Sequence, residues 1–358
     1  MRWFGAIAVV LLLVVAGLLF RTLNAAGYFK TVVSSYSGKC TKVAGAIGAE
    51  DMELDRATGE LFISSQDRRP VPLPPGQELK PGAIFLARLD RADAPPQSLT
   101  AASGIALHPH GLSLYRDGAG KRTLAVVNHP EAESSEILLF DVVEQAGGAP
   151  QLTLRRRVQD PLFHDANDVT LMSHEAFYIT NDHGSQSALG RTLEDYLLLP
   201  RADVVYYDGN EAKVAATGFT YANGINHSLD FATVYVAETT GRAIQVFRRD
   251  ATTGVLVHVR GISLSAGPDN IDVDAEGNLW VAAHPKMLDF VAHAQDAKHL
   301  SPSAVFKIDP SADDGAAGLV QTIYVNLGDE ISGSSIAVSD GKRLAIGSVF
   351  EPDYLICN

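Results

Sequence analysis

Six polar residue pairs recur at one phase of a repeating strand pattern. They are Glu50-Asp51, His110-Gly111, Asn167-Asp168, Asn223-Gly224, Asp269-Asn270 and Ser334-Ser335. Each lies about ten to fourteen residues before a short apolar run. Singly, an Asn-Gly or Asn-Asp pair is a turn former or an internal hydrogen-bond partner. Recurrence in six units points instead to a ring of side chains from distant stretches of sequence. Carboxylates gathered there would repel and would be costly to bury without a compensating cation. Calcium takes six to eight oxygens from carboxylates, Asn carbonyls, backbone carbonyls and water. Glu50, Asn167, Asn223, Asp269 and Asn270 supply five such side chains. Asp51 and Asp168 should point the other way along their strands and hold a second cation below the first. With few carboxylate–histidine combinations, a soft-metal site is disfavoured.

Histidines add a proton-transfer element. His110 sits in the ring phase, and His129 ends the next strand of the same unit. Two histidines on adjoining strands can form a dyad in which one orients and polarises the other. His183 and His284 end the corresponding strands of the third and fifth units. A lone strand-end histidine reads first as structural, and His284 is taken to line the site. A cation with open positions beside a histidine base suits ester or lactone hydrolysis, the cation polarising the carbonyl and the histidine activating water. The sequence has no Gly-x-Ser-x-Gly elbow, phosphate loop or dinucleotide fingerprint.

The elements that must position these residues are short strands. Leu61–Ser64, Leu124–Val127, Phe177–Thr180, Val234–Ala237, Leu279–Ala282 and Leu344–Gly347 recur, several after a Gly-containing turn signal. Units of about 45–65 residues, rich in strands and turns, have the size of propeller blades. Helical periodicity is scarce, with Leu193–Leu199 at most a short piece. The expectation is an all-β, six-bladed β-propeller over residues 31–358.

Residues 1–30 form a separate segment. Trp3 to Phe20 carries no charge and is bounded by Arg2 and Arg21, long enough as a helix to span a bilayer. It is read as an uncleaved signal-anchor or a cleaved signal peptide. The two cysteines, Cys40 and Cys357, lie at opposite ends of the folded region. Behind a secretory-type segment they point to a disulfide that keeps a circular fold from opening, with two unrelated thiols as the alternative. The chain is therefore expected to be membrane-anchored facing an extracytoplasmic compartment, or secreted. Its 358 residues carry 42 Asp and Glu against 29 Lys and Arg, a net charge of −13 that argues against a nucleic-acid partner.

These motifs resemble the paraoxonase/arylesterase family of six-bladed propeller lactonases. The resemblance runs from about Gly38 to Cys357 and rests on Ala49–Glu53, Pro109–Ser113, Val127–Pro130, Asn167-Asp168, Thr180–His183, Ala222–Asn226, Asp269–Ile271 and His284-Pro285. It implies a catalytic calcium at Glu50, Asn167, Asn223, Asp269 and Asn270. It also implies a structural calcium at Asp51, Asp168 and backbone carbonyls including that of Leu112, the His110–His129 dyad, and a Cys40–Cys357 bridge. The implied activities are lactone and aryl ester hydrolysis, with a secondary phosphotriesterase activity. Departures fall at the pocket. Ala283 stands where some relatives have a free thiol, and the lid reads Gln66-Asp67-Arg68-Arg69-Pro70 before a Pro-rich stretch to Pro75. Tyr221, Thr239 and Thr240 should make the wall more polar. The only Asn-x-Ser/Thr sequon, at Asn226, is expected inside the propeller and not to be glycosylated.

The sequence thus predicts a two-calcium hydrolase of lactones and aryl esters, with a small-molecule substrate and a membrane contact through its N-terminus. Its rivals are a non-catalytic, calcium-stabilised propeller that binds a partner, and another propeller enzyme such as a sugar-lactonase or strictosidine-synthase-like protein. The histidine pair discriminates against both.

Overall fold

The short apolar runs become the second strands of six four-stranded antiparallel sheets. In the computed structural model, which describes residues 2–69, 80–101, 104–131, 134–313, 315–316 and 318–358, these sheets form a six-bladed β-propeller. The Pro-rich stretch beyond Arg69 lies outside the described residues. Each sheet packs against a neighbour on both faces, so its second strand need not alternate polar with apolar. Leu61, Phe62 and Ile63 are all at 0% exposure, as are Leu124, Ala125, Val126 and Val127. Burying a large aliphatic or aromatic side chain contributes about 1.5–3 kcal/mol, and every blade contributes several.

The innermost strands are Ala49–Asp55, Pro109–Arg116, Ala166–Leu171, Ala222–His227, Gly267–Val273 and Ser334–Ser339. Each packs against the innermost strand of the next blade, and Ser334–Ser339 packs against Ala49–Asp55 to complete the circle. The chain closes that circle by pairing its first strand with its last. Cys40–Ala44 is the outermost strand of the sixth blade, antiparallel to Asp353–Cys357, with Cys40 opposite Cys357. The two cysteines are joined in a disulfide, as the sequence led us to expect. Val43, Met52, Ile63, Ile336, Tyr354 and Ile356 share one buried cluster, so the closure is sealed by apolar packing as well.

Among the described residues, three helices decorate this ring. The first, α1 (Arg2–Ala25), carries exposed apolar residues including Leu11, Leu12, Leu13 and Phe20. Among the described residues, no helix is long and apolar enough to cross a membrane. Two shorter helices sit on the same face, α2 (Ala188–Leu197) and α3 (Met287–Gln295). In α2, Ser187 caps the start by accepting from the Gly190 N–H. The start of α3 is tied to the end of α1, where the Met287 N–H donates to the Ala26 carbonyl. Gly27 makes that approach possible. Its φ is +68°, and a Cβ there would sit 2.2 Å from the Pro285 oxygen. Asn226 lies on an innermost strand, donating to the Ile271 carbonyl of the next blade, which agrees with the expected interior position.

Candidate functional site: a polar ring beneath an apolar cavity

A β-bulge falls at the ring phase in all six blades. Regular pairing is interrupted between Ala49 and Asp51, Pro109 and Leu112, Ala166 and Val169, Ala222 and Ile225, Pro268 and Ile271, and Ser334 and Ala337. A bulge leaves residues out of the ladder and re-aims their side chains. That is the physical basis of the six-fold recurrence, since the polar pairs occupy the one place where each inner strand stops pairing.

Glu50, Asn167, Asn223 and Asp269 line one cavity of about 500 Å³. The Asn167 amide donates to Asp182 Oδ2 at 3.4 Å, Asn223 to Thr239 Oγ1 at 3.2 Å, and Asn270 to Glu50 Oε1 at 2.8 Å. Each amide therefore spends its N–H on a protein acceptor, which fixes its orientation and leaves its oxygen over. Asn167 Oδ1, Asn223 Oδ1, Asn270 Oδ1 and Glu50 Oε2 are all buried without a hydrogen-bond partner. Native proteins rarely leave such atoms bare. Burial pushes the Glu50 and Asp269 carboxyls above their ordinary range, opposed at Glu50 by Arg68 and Asn270 and at Asp269 by His284. A hard cation answers both the bare oxygens and the buried charge, so the donor set fits calcium.

The sixth blade contributes no ligand-type side chain. Ser335 instead donates to the Glu50 carbonyl at 2.6 Å.

Asp51 and Asp168 are not among the residues that line the cavity. Asp51 accepts from the backbone N–H groups of Met52 and Leu112, and Asp168 from those of Val169 and Ile225, at 2.7–2.8 Å. Both carboxyls are held well above their usual range, by burial first; Asp51 is also raised by Asp168. Gly111 makes room for this pair, because a Cβ there would lie 2.1 Å from Asp168 Oδ1.

His110 faces the ring with Nε2 3.7 Å from Glu50 Oε1, and its Nδ1 lies 3.4 Å from His129 Nε2. His129 Nδ1 lies 3.3 Å from Ser135 Oγ, which also accepts from the Ala166 N–H. The two rings meet edge to face at 5.5 Å between centroids. Burial, then Arg68, lower the His110 pKa to about 3, so the imidazole is neutral at ordinary pH. His284 Nε2 donates to Asp269 Oδ2 at 2.8 Å, and its ring packs on Phe290 at 4.0 Å between centroids. It lines the cavity and positions Asp269 at once.

The walls come from several elements. Tyr221, Thr239 and Thr240 line the cavity. Tyr221 has a φ of 62°, an unusual conformation for a bulky side chain, and sits just before the Asn223 bulge. Met287, Phe290 and Val291 of α3 line the same cavity with Val349 and Phe350, and Thr22, Ala25 and Ala26 bring the N-terminal segment to the rim. Sequence reasoning missed α3, although Met287, Phe290 and Val291 have helical i, i+3, i+4 spacing. It also missed the cavity position of Arg68.

Asp165, Asp182 and His183 form a second cluster, with ligand atoms within 4.8 Å of one another. Burial opposes charge on His183. Bonds to Asp165, Asp182 and Asp195 win and raise its pKa to about 12. Arg191 adds a further cation, 3.1 Å from Asp165. The carboxylates of this cluster are thus paired directly with cations of the protein itself.

A buried ring of bare oxygens under an apolar cavity, on a rigid propeller, is the build of a small-molecule enzyme. The arylesterase family model matches residues 38–358, the whole propeller. Mouse serum paraoxonase/lactonase 3 is 33% identical over 307 residues, covering 85% of this chain and 84% of the relative. Human serum paraoxonase/arylesterase 2 is 34% identical over 277 residues, covering 76% and 75%. The chain belongs to the arylesterase family. Among solved structures, a luciferin-regenerating enzyme superposes with a TM-score of 0.56 at 13% identity, covering 90% of this chain and 95% of its own. A gluconolactonase from Xanthomonas campestris superposes with a TM-score of 0.52 at 17% identity, covering 89% of each. Those two likenesses speak to the propeller alone.

Proposed function

We propose that the chain hydrolyses lactones and aryl esters at a calcium held by Glu50, Asn167, Asn223, Asp269 and Asn270. Four buried ring oxygens without partners carry this reading, and the family supports the reaction class. Bound there, calcium supplies Lewis acidity toward the ester carbonyl and charge to offset a developing oxyanion. A second, structural calcium is assigned to Asp51, Asp168 and the Leu112 carbonyl. The gathering of buried carboxylates behind the ring supports it.

His110 is the general base. Its Nε2 faces the ring, so the network assigns the proton to Nδ1, donated toward His129 Nε2, while His129 Nδ1–H points to Ser135. A neutral Nε2 can then take a proton from the attacking water, and His129 shares the charge that forms. His284 holds Asp269, and Ser335 holds the Glu50 backbone. The apolar wall of α3 excludes water from the acyl or aryl portion of the substrate.

Retention of the N-terminal segment belongs to the same proposal, because Thr22, Ala25 and Ala26 form part of the cavity rim. The exposed apolar residues of α1 suit a membrane surface. The Cys40–Cys357 bridge suits an extracytoplasmic or secreted setting. Purified full-length chain should be assayed against five- and six-membered lactones, phenyl esters and an aryl phosphotriester. Lactone and phenyl ester turnover supports the reading; turnover of neither class contradicts it.

A further inference from the structure

Two consecutive arginines follow the second strand of the first blade, and the structure treats them differently. Arg69 turns away from the ring; it donates to the His293 carbonyl at 2.5 Å and pairs with Glu351 at 3.5 Å. Arg68 lines the same cavity as Glu50, His110 and Asp269. Its Nη1 donates to the Gly48 carbonyl at 3.3 Å and to the Gln66 carbonyl at 3.5 Å, and its Nη2 to the Pro109 carbonyl. Three neutral carbonyls thus hold the guanidinium in place without cancelling its charge. Among the described residues, no carboxylate comes within 4 Å of it, whereas Arg56, Arg116, Arg122 and Arg157 all have such partners.

A half-buried, unpaired guanidinium beside a cation-binding ring is electrostatically unfavourable unless an anion comes between them. Glu50 and Asp269 would be committed to the cation. The acidic cluster across the cavity is compensated by His183 and Arg191. Among the described residues no other anion is left to Arg68, which leaves the ligand to bring one. A five-membered lactone ring alone underfills a cavity of about 500 Å³, so there is room for a side chain reaching the Arg68 wall.

We propose that Arg68 is a specificity-determining residue that binds a carboxylate carried on the substrate's side chain, so that the enzyme favours lactones bearing a free acid. This rests on the hydrolytic reading above. Arg suits the task because its planar fork matches a carboxylate in two parallel hydrogen bonds.

The test uses the full chain and two matched five-membered lactones, one with a side chain ending in a carboxylate and one ending in the primary amide. The readout is the ratio of their kcat/KM values, which does not depend on the fraction of enzyme folded. Wild type should prefer the carboxylate. Arg68→Gln should lower the ratio roughly tenfold or more, chiefly through KM, as for loss of a charged hydrogen bond. Arg68→Lys should keep a larger share of the preference than Gln. A ratio unchanged by Arg68→Gln, or an equal loss on both lactones, overturns the proposal. Calorimetric binding of the carboxylate lactone separates the two readings. Binding that weakens in Arg68→Gln, without turnover by wild type, contradicts the hydrolytic reading and leaves the anion subsite standing. Binding equal in wild type and Arg68→Gln overturns the subsite.

Discussion

Asn270 donates its amide N–H to Glu50 Oε1 at 2.8 Å, joining two ring residues 220 positions apart in sequence. The bond sets both side chains at once, leaving Asn270 Oδ1 and Glu50 Oε2 as the bare oxygens. Asn270→Ala removes an oxygen donor and also strands Glu50 Oε1. We expect weaker calcium binding by calorimetry and a fall in lactone kcat/KM on the order of 100-fold, since metal polarisation contributes several kcal/mol to such reactions. Near-native activity and calcium affinity in this variant would mean that Asn270 is only a structural bracket.

A pH prediction follows from the buried carboxylates. Glu50, Asp51, Asp168 and Asp269 all have raised folded-state pKa values, with burial the largest cause. The metal-free folded chain then holds protons that the unfolded chain has released. Its stability falls as pH rises from about 4, the unfolded carboxylate value, through the raised folded values. Calcium competes with those protons and removes the penalty. The Tm difference between calcium and chelator should widen from about pH 5 to about pH 8. Thermal scans showing a constant or shrinking difference would count against a cation in the ring.

The histidines make a separable prediction. His110→Gln should lower aryl ester kcat/KM by roughly 100-fold, within the usual range for general-base loss. His129 acts through His110, so the double variant should be little worse than His110→Gln alone. Additive losses would assign His129 an independent role.

The clasp can be tested on its own. Replacing Cys40 and Cys357 together with Ser should cost about 2–4 kcal/mol in chemical denaturation. Below the unfolding transition, lactone kcat should be unaffected, because the bridge lies on the outer strands of the sixth blade. A large loss of kcat in still-folded enzyme would mean that closure shapes the ring directly.

Much of this arrangement was legible in the sequence because a propeller repeats. Leu61, Leu124, Phe177, Val234, Leu279 and Leu344 do mark the second strands, and the polar pairs ahead of them do lie on the innermost strands. The bulges were not legible, since a bulge is a relation between two strands and leaves no fixed residue signature. The Glu50–Asn270 bond depends on ring closure, which local pattern does not show. Arg68 was visible only as part of the lid Gln66-Asp67-Arg68-Arg69-Pro70. What distinguishes it from Arg69 is the position of Glu351, 282 residues further along the chain, together with three backbone carbonyls. Helix α3 was missed because nine residues carry little periodicity between two strands.

If the ring holds the cation on which hydrolysis depends, activity must follow calcium occupancy. Calcium titrated into chelated, re-dialysed enzyme, with lactone turnover and bound calcium followed together, should give no turnover in chelator, recovery that saturates with calcium, and two ions bound per chain. Full turnover by enzyme that carries no calcium would show that the ring cation is dispensable.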